Sequence, residues 1–151
     1  MRILFLTLLW CCIPISHVWS QQHEVKGTIT AAQAELNYQA GCFPGSSLPL
    51  CTTTVFTRYD LKNVLVIGHD VTCNRPKVAA YRAPGAPQSE YAAESAIDEL
   101  ARELGLDPIE LRLKNAVSEG VNSTYGPRWG SIGLKECLEA AKRHPNYQVE
   151  L

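Results

Sequence analysis

Residues 92–116 read AAESAIDELARELGLDPIELRLKNA, and this stretch determines most of the fold prediction. Its apolar residues recur every three or four positions, which is typical of an amphipathic helix with one buried face. We expect Gly105 to end this first helix, because glycine readily adopts the left-handed conformation that follows many helices. The buried face is predicted to contain Ala93, Ile97, Leu100, Ala101 and Leu104.

A second helix is predicted to begin immediately after the first. Asp107 as N-cap, Pro108 in the first turn and Glu110 three residues after the cap form a capping box. We expect this helix to end at Gly120. Its apolar face is predicted to contain Leu106, Ile109, Leu113, Ala116 and Val117.

A third helix is predicted over residues 134–143, where His144 and Pro145 break the pattern. Its buried face is predicted to contain Leu134, Cys137, Leu138 and Ala141. The three predicted helices follow one another in the second half of the chain, after the predicted strands. This order favours helices that pack together in one layer.

Residues before Asn74 favour short strands. Residues 26–38 contain a turn followed by an alternating pattern, residues 52–56 are β-branched, and residues 63–71 are an apolar run typical of a buried strand. Residues 41–50 are rich in glycine, proline and serine, which predicts a loop. The predicted fold class is therefore α+β, with short strands followed by three helices.

Composition excludes several classes of protein. The chain has 151 residues, 14 Lys and Arg against 15 Asp and Glu, and 46% hydrophobic residues, which is typical of one globular domain. No run of Lys or Arg provides the positive surface that nucleic acid or an anionic membrane requires. We therefore expect no nucleic-acid partner and no membrane partner.

Common catalytic motifs are absent from the sequence. It contains no His-Glu-x-x-His, no Gly-x-Ser-x-Gly, no Walker loop and no Gly-x-Gly-x-x-Gly. The four histidines are far apart, and no pair has the spacing of metal ligands on one helix face. These absences argue against the usual nucleotide-binding enzymes and against a zinc or copper site held by histidines.

Residues 1–20 differ in character from the rest of the chain. Arg2 is followed by an apolar run, and small or aliphatic residues precede Gln21, which together predict a secretory signal peptide cleaved before Gln21. The alternatives are an N-terminal anchor, or upstream sequence included through a wrong gene start. Four cysteines follow this segment: Cys42, Cys51, Cys73 and Cys137. They could form two disulfides in a secreted protein or remain free thiols in the cytosol.

An unusual turn precedes the first predicted helix. Residues 80–88 read AYRAPGAPQ, and two prolines and a glycine stiffen this segment. The turn brings Arg82 and neighbouring backbone amides to the amino terminus of a helix, where an oxyanion is favoured. The alternative is an ordinary turn in which Arg82 pairs with a surface carboxylate.

The same segments resemble the molybdenum hydroxylases, the family of xanthine dehydrogenase and aldehyde oxidase, in their large molybdopterin-binding subunit. The resemblance covers about residues 24–151, which we interpret as part of a molybdopterin-binding domain. It is carried by residues 70–74 (DVTCN), the turn at 80–88, Glu94, residues 98–101 (DELA), residues 104–108 (LGLDP), and Glu110, Leu111, Arg112 and Asn115. Weaker similarity includes residues 27–31 and 39–45.

The resemblance implies particular roles for the turn. Arg82 would lie at the molybdenum centre with its backbone amide near an oxygen ligand of the metal, and Ala83 would also contact the cofactor. Pro84 stands where xanthine-oxidising members carry a phenylalanine that stacks on the substrate. No arginine is found near Leu50, where the family has one that helps to bind purines. The resemblance therefore does not specify a purine substrate, and an aldehyde or another N-heterocycle is equally possible as the substrate.

The family reaction is a hydroxylation at molybdenum, with a glutamate as general base and electrons leaving through iron-sulfur clusters and often FAD. The Gly-x-Gly-Glu segment of that base, the Gly-Gly-x-Phe-Gly segment and the cysteine motifs of iron-sulfur clusters are absent here. The resemblance thus implies an inactive fragment on its own. Its expected partners are the rest of the molybdopterin subunit, the iron-sulfur and FAD domains or subunits, and a small-molecule substrate.

Two functional hypotheses follow. The first is a part of a cytoplasmic molybdenum hydroxylase, with some apolar faces open to neighbours. The second is a secreted, non-catalytic domain that keeps the fold, has lost the cofactor and contains disulfides. In the second hypothesis Asn122, in the sequence Asn-Ser-Thr, could carry a glycan.

Overall fold

The computed structural model describes residues 15–22 and 27–147 and has an α+β architecture, as predicted. Within these residues three strands form one sheet: β1 (Ile15–Gln22), β2 (Ile29–Gly41) and β3 (Asn63–Thr72). The described part of the chain also contains four α-helices, α1 (Leu48–Thr54), α2 (Ala86–Leu104), α3 (Pro108–Asn115) and α4 (Leu134–Arg143), and a 3-10 turn at Pro145–Tyr147. No helix in the described part of the chain has both the length and the apolar character needed to span a membrane.

The sheet has the order β1-β2-β3, with β2 in the centre. β1 pairs with β2 in antiparallel orientation, whereas β2 and β3 are parallel, from Ala31 opposite Asn63 to Tyr38 opposite Asp70. Parallel pairing requires a crossover, and α1 supplies it. β1 includes residues that the sequence assigns to the signal segment. Residues 1–14 of that segment lie outside the described residues.

Helix α1 corrects the prediction of extended structure at residues 52–56. Three threonine hydroxyls donate to backbone carbonyls one turn earlier: Thr52 to Leu48 at 3.2 Å, Thr53 to Pro49 at 2.7 Å and Thr54 to Leu50 at 2.8 Å. These hydrogen bonds satisfy the polar groups of a β-branched run inside a helix. The preceding loop therefore ends at Ser47 and not at residue 50.

β3 is a strand as predicted, but it is not buried. Leu65 is 51% exposed and Val71 is 44% exposed. β3 lies at the edge of the described sheet, and one of its faces packs on α1 through the half-buried Val64 and Val66. The prediction of a buried strand assumed that both faces of β3 are covered by other elements, whereas the described residues cover only one face.

Two buried clusters join the sheet to the helices. One lies between β2, α1 and α2, and it contains Ala32, Ala34, Leu36, Cys51, Val55, Phe56 and Ala93. The other lies between β2, α2 and α3, and it contains Ile29, Tyr59, Ile97, Ala101 and Leu111. The helix predicted around Ala93 and Ile97 is confirmed, and both residues are buried in these clusters.

The second predicted helix begins correctly and ends early. The Asp107 carboxylate accepts a hydrogen bond from the backbone N–H of Glu110 at 2.9 Å, which confirms the N-cap. α3 ends at Asn115 and not at Gly120, because Ala116 leaves the helix to pair with Tyr59 in a short β-bridge. Leu111 is buried on α3, although the predicted apolar face did not include it.

α4 has the predicted boundaries, but the burial of its apolar face was predicted wrongly. No residue of α4 is buried, Cys137 and Ala141 are exposed, and Leu134 and Leu138 are half-buried. α4 contacts α3 along only part of its surface. The apolar stripe is therefore largely open among the described residues.

Candidate functional site

The arginine turn, residues 82–85, connects the segment after β3 to the start of α2. Its backbone is unusual, since Ala83 has φ of 50° and Gly85 has φ of 86°. A left-handed conformation costs about 1 kcal/mol or more for a residue with a Cβ, so the surroundings must hold Ala83 in place. Strained backbone of this kind is concentrated at functional sites.

The side chain of Arg82 is exposed and forms no ion pair with any residue that the structure describes. Ala83 is also exposed, and Pro84 is half-buried. The alternative was that Arg82 pairs with a surface carboxylate, and no carboxylate in the described part of the chain forms that pair. The guanidinium is open to an anionic ligand at the surface.

Arg82 is three residues before Gly85, the N-cap of α2, so the arginine turn leads directly into the amino terminus of this helix. Gly85 is its N-cap and provides no capping side chain, and the first turn contains no acidic residue. The first backbone N–H groups of a helix carry a partial positive charge and need acceptors from outside the helix. Backbone amides without a capping side chain, preceded in the same turn by an arginine, are the kind of donor that suits the oxygen atoms of an anion.

Helix α1 holds the arginine turn from the other side. The Cys51 thiol donates to the Gly85 carbonyl, with 3.1 Å between Sγ and O. Cys51 is only 1% exposed, and burial raises the pKa of its thiol to about 11. Leu50 precedes Cys51 on the same helix and is 43% exposed. The position near Leu50, which lacks the family arginine, is therefore on the helix that contacts the turn.

The loop before α1 is fixed to β3. The Asp70 carboxylate accepts hydrogen bonds from the backbone N–H groups of Gly45 at 2.7 Å and Ser46 at 3.2 Å. Hydrogen bonds from Ser46 and Gly45 lower the pKa of Asp70, so it stays ionised at neutral pH. Lys77 donates to the Gly45 carbonyl at 2.6 Å. The turn, α1, this loop and β3 are therefore linked by a continuous set of contacts.

A network of charged groups supports α2 from the side of α3. Glu94 on α2 accepts hydrogen bonds from Arg58 at 3.1 Å, from the Tyr59 hydroxyl at 2.8 Å and from Arg112 at 2.8 Å. Arg112 also donates to Asp98 at 2.6 Å. Burial raises the pKa of the Tyr59 hydroxyl, and the adjacent Glu94 raises it further, so the hydroxyl remains a donor.

Sequence reasoning identified the arginine turn but not the residues that hold it. Glu94 and Arg112 entered the argument only as part of a family pattern, and Cys51 only as one of four cysteines. Their partners are 18 and 34 positions away in sequence, so no local pattern shows the pairing. All four cysteines after residue 20 are free thiols, with Cys42 and Cys137 exposed.

Comparison with known proteins gives one consistent family. Residues 19–116 match the family model of the molybdopterin cofactor-binding domain. The xanthine dehydrogenase molybdenum-binding subunit of Escherichia coli O157:H7 is 48% identical over 75 residues, covering 48% of this chain and 10% of that subunit. The aldehyde oxidoreductase of Megalodesulfovibrio gigas is 37% identical over 93 residues, covering 62% of this chain and 10% of that enzyme.

Solved structures agree with the sequence comparisons. The aldehyde oxidoreductase from Desulfovibrio gigas matches with a TM-score of 0.72 and 31% identity, covering 81% of this chain and 14% of that chain. Quinoline 2-oxidoreductase from Pseudomonas putida 86 matches with a TM-score of 0.73 at 19% identity, which is a likeness of fold alone. The chain spans about a tenth of the length of the first curated relatives. It belongs to the family of molybdopterin cofactor-binding domains.

Proposed function

We propose that this chain forms one wall of the molybdopterin site in a molybdenum hydroxylase of the xanthine dehydrogenase and aldehyde oxidase type. The observation that carries the proposal is the arginine turn, where an exposed Arg82 without an ion pair in the described chain lies beside the uncapped start of α2. A donor set of amides and a guanidinium fits the oxygen atoms of a molybdopterin cofactor. Membership of the family supports the same cofactor.

Arg82 and Ala83 are the proposed cofactor-binding residues. The backbone amide of Arg82 would donate to an oxygen ligand of the metal, and the amide of Ala83 would add a second donor from the same turn. When bound, the molybdenum cofactor supplies the two-electron redox chemistry of the hydroxylation. The residues of this chain bind and orient the cofactor, since donors held by a rigid backbone need no rearrangement when an anion arrives.

Pro84 is the proposed border of the substrate pocket. Its ring is apolar and half-buried, and it offers no aromatic face for stacking on a flat heterocycle. The missing stacking face argues against a purine, and we propose an aldehyde or another N-heterocycle as the class of substrate. The general base is absent from this sequence, so a glutamate from another part of the enzyme has to remove the proton, and the 151 residues alone would be inactive.

The open faces of the fold support a proposal about partners. Leu65, Ile67 and Val71 expose apolar side chains along β3, and contiguous exposed apolar surface marks an interaction site. We propose that the rest of a molybdopterin subunit covers this face. Iron-sulfur and FAD domains or subunits would carry the electrons away, as the family resemblance implies.

The test is the cofactor content of the native polypeptide that carries this sequence, purified from its source. We expect about one molybdenum by mass spectrometry and about one pterin by fluorescence per polypeptide. Cells grown with tungstate are the control, in which the molybdenum content should fall while the pterin content stays. A pure polypeptide with neither molybdenum nor pterin would contradict the proposed function.

A further inference from the structure

Gly85 ends the arginine turn at a point where α1 leaves no space for a side chain. A methyl group on Gly85 would lie 2.4 Å from the Sγ of Cys51 and 2.7 Å from the carbonyl oxygen of Ser47. Both separations are shorter than atoms in packed interiors allow. The close approach of Gly85 to the first turn of α1 is therefore a built feature of the fold, available only to glycine at this position.

This close approach allows the Cys51 thiol to form a hydrogen bond with the Gly85 carbonyl. The Gly85 carbonyl accepts from the Cys51 thiol at 3.1 Å, from the backbone N–H of Ser89 at 3.2 Å and from the Ser89 hydroxyl at 3.4 Å. The second of these is the first backbone hydrogen bond of α2. Gly85 and Ser89 are both buried, so no solvent replaces a partner that is lost. The thiol therefore donates to the same carbonyl that accepts the first backbone hydrogen bond of α2.

The charge state of Cys51 suits a permanent donor. Burial favours the neutral thiol, and the pKa of about 11 keeps it protonated throughout the physiological range. Within the described chain, Tyr38 is the titratable group with which its charge couples, and burial raises the pKa of Tyr38 as well. Cys51 is therefore a neutral hydrogen-bond donor and not a reactive thiolate.

We propose that Cys51 is a positioning residue, whose thiol fixes the Gly85 carbonyl and thereby the direction in which the amides of the arginine turn face an oxyanion. This inference rests on the proposed function of the turn. Cys51 itself takes part in no chemical step. This role differs from simple packing in one respect. It requires a hydrogen-bond donor at position 51, and a side chain of the correct volume is not sufficient.

Two matched pairs of variants separate the effect of the hydrogen-bond donor at position 51 from the effect of side-chain volume. Cys51→Ser keeps a donor that Cys51→Ala removes. Cys51→Thr keeps a donor that Cys51→Val removes at nearly equal volume, so the second pair decides the matter if Cys51→Ala fails to fold. Cys137→Ala, an exposed thiol on α4, is the control. Each variant is made in the native polypeptide, and its molybdenum content and amide hydrogen exchange are measured.

We expect the Ser89 amide to exchange about fivefold faster in Cys51→Ala and Cys51→Val, with a loss of molybdenum of about the same factor, as for one hydrogen bond. Cys51→Ser, Cys51→Thr and Cys137→Ala should stay within about twofold of wild type. Equal behaviour within each pair would overturn the inference. Wild-type polypeptide without molybdenum would overturn the proposed function, and the exchange of Ser89 would still decide whether the thiol positions the turn.

Discussion

The side-chain carbonyl of Asn115, at the end of α3, accepts a hydrogen bond from the backbone N–H of Ile29, at the start of β2, with 2.8 Å between the atoms. The Asn115 amide nitrogen donates to the carbonyls of Gly27 and Leu111, each at 2.8 Å. Asn115 is 5% exposed. One fully satisfied polar side chain therefore joins the helical layer to the sheet across 86 positions of sequence.

Replacing Asn115 by leucine should destabilise the fold. The substitution leaves the N–H of Ile29 and the carbonyl of Gly27 without their partners in a buried environment, so we expect a loss of about 2–4 kcal/mol in the free energy of unfolding. Urea denaturation measures the change. Asn122→Ala, at an exposed side chain, is the control, and a similar loss in both variants would contradict this role of Asn115.

Neutralising Glu94 should also be costly. Glu94→Gln leaves Arg58 and Arg112 without the carboxylate that they share, so we expect a loss of about 2–4 kcal/mol. Glu139→Gln is the matched control, because its ion pair with Arg143 is exposed and 3.8 Å long, and it should lose less than about 0.5 kcal/mol. Equal losses in thermal denaturation would show that the network carries no special stability.

Two changes at Ala83 should test whether the turn contacts the cofactor, because one keeps both the φ angle and the amide and the other removes both. Ala83→Gly keeps the N–H and adopts φ of 50° without strain, so the molybdenum content should be unchanged. Ala83→Pro removes the N–H and requires φ near −65°, so most of the molybdenum should be lost. Metal analysis of both purified variants provides the comparison. Full retention of molybdenum in Ala83→Pro would mean that the turn does not contact the cofactor.

The thiols should differ sharply in reactivity. Iodoacetamide at neutral pH should alkylate the exposed Cys42 and Cys137 and leave the buried Cys51 unmodified until the chain unfolds. Peptide mapping by mass spectrometry identifies each site. Rapid alkylation of Cys51 in the folded protein would contradict its burial against Gly85.

Ionisation of Cys51 should weaken the fold at high pH. Its pKa is raised from 9.0 to about 11, so its contribution to stability is complete below pH 9 and decreases as the pH rises towards 11. The full decrease is about 2–3 kcal/mol. Burial also raises the pKa of Tyr59, which acts in the same direction, so the thiol is isolated by comparing wild type with Cys51→Ser. Identical alkaline profiles would exclude a contribution from the thiol.

Local signals in the sequence predicted the parts of the fold that local chemistry determines. The Asp107 cap and the stop at Gly105 follow from side chains and backbone within a few residues, and both are present. The helix at residues 48–54 was missed because its threonines satisfy their hydroxyls on helix carbonyls, which propensity does not reveal. The open stripe of α4 was misjudged because a periodic pattern shows which face is apolar and not what covers it.

The candidate site divides in the same way. Arg82 and its turn were recognised from Pro-Gly chemistry and from a family pattern, whereas the contact between Cys51 and Gly85 depends on how α1 crosses the sheet. That crossing follows from the parallel pairing of β2 with β3, a long-range property. The roles of Arg82, Ala83 and Pro84, the start of the domain at residue 24 and the signal segment stay predictions.

The most direct test is a structure of the native polypeptide with its cofactor, by crystallography or cryo-electron microscopy. The account predicts that the backbone amide of Arg82 lies within hydrogen-bond distance of an oxygen ligand of the molybdenum, with Pro84 at the edge of the substrate pocket. A cofactor bound elsewhere, with the arginine turn facing solvent or another protein segment, would contradict the central claim.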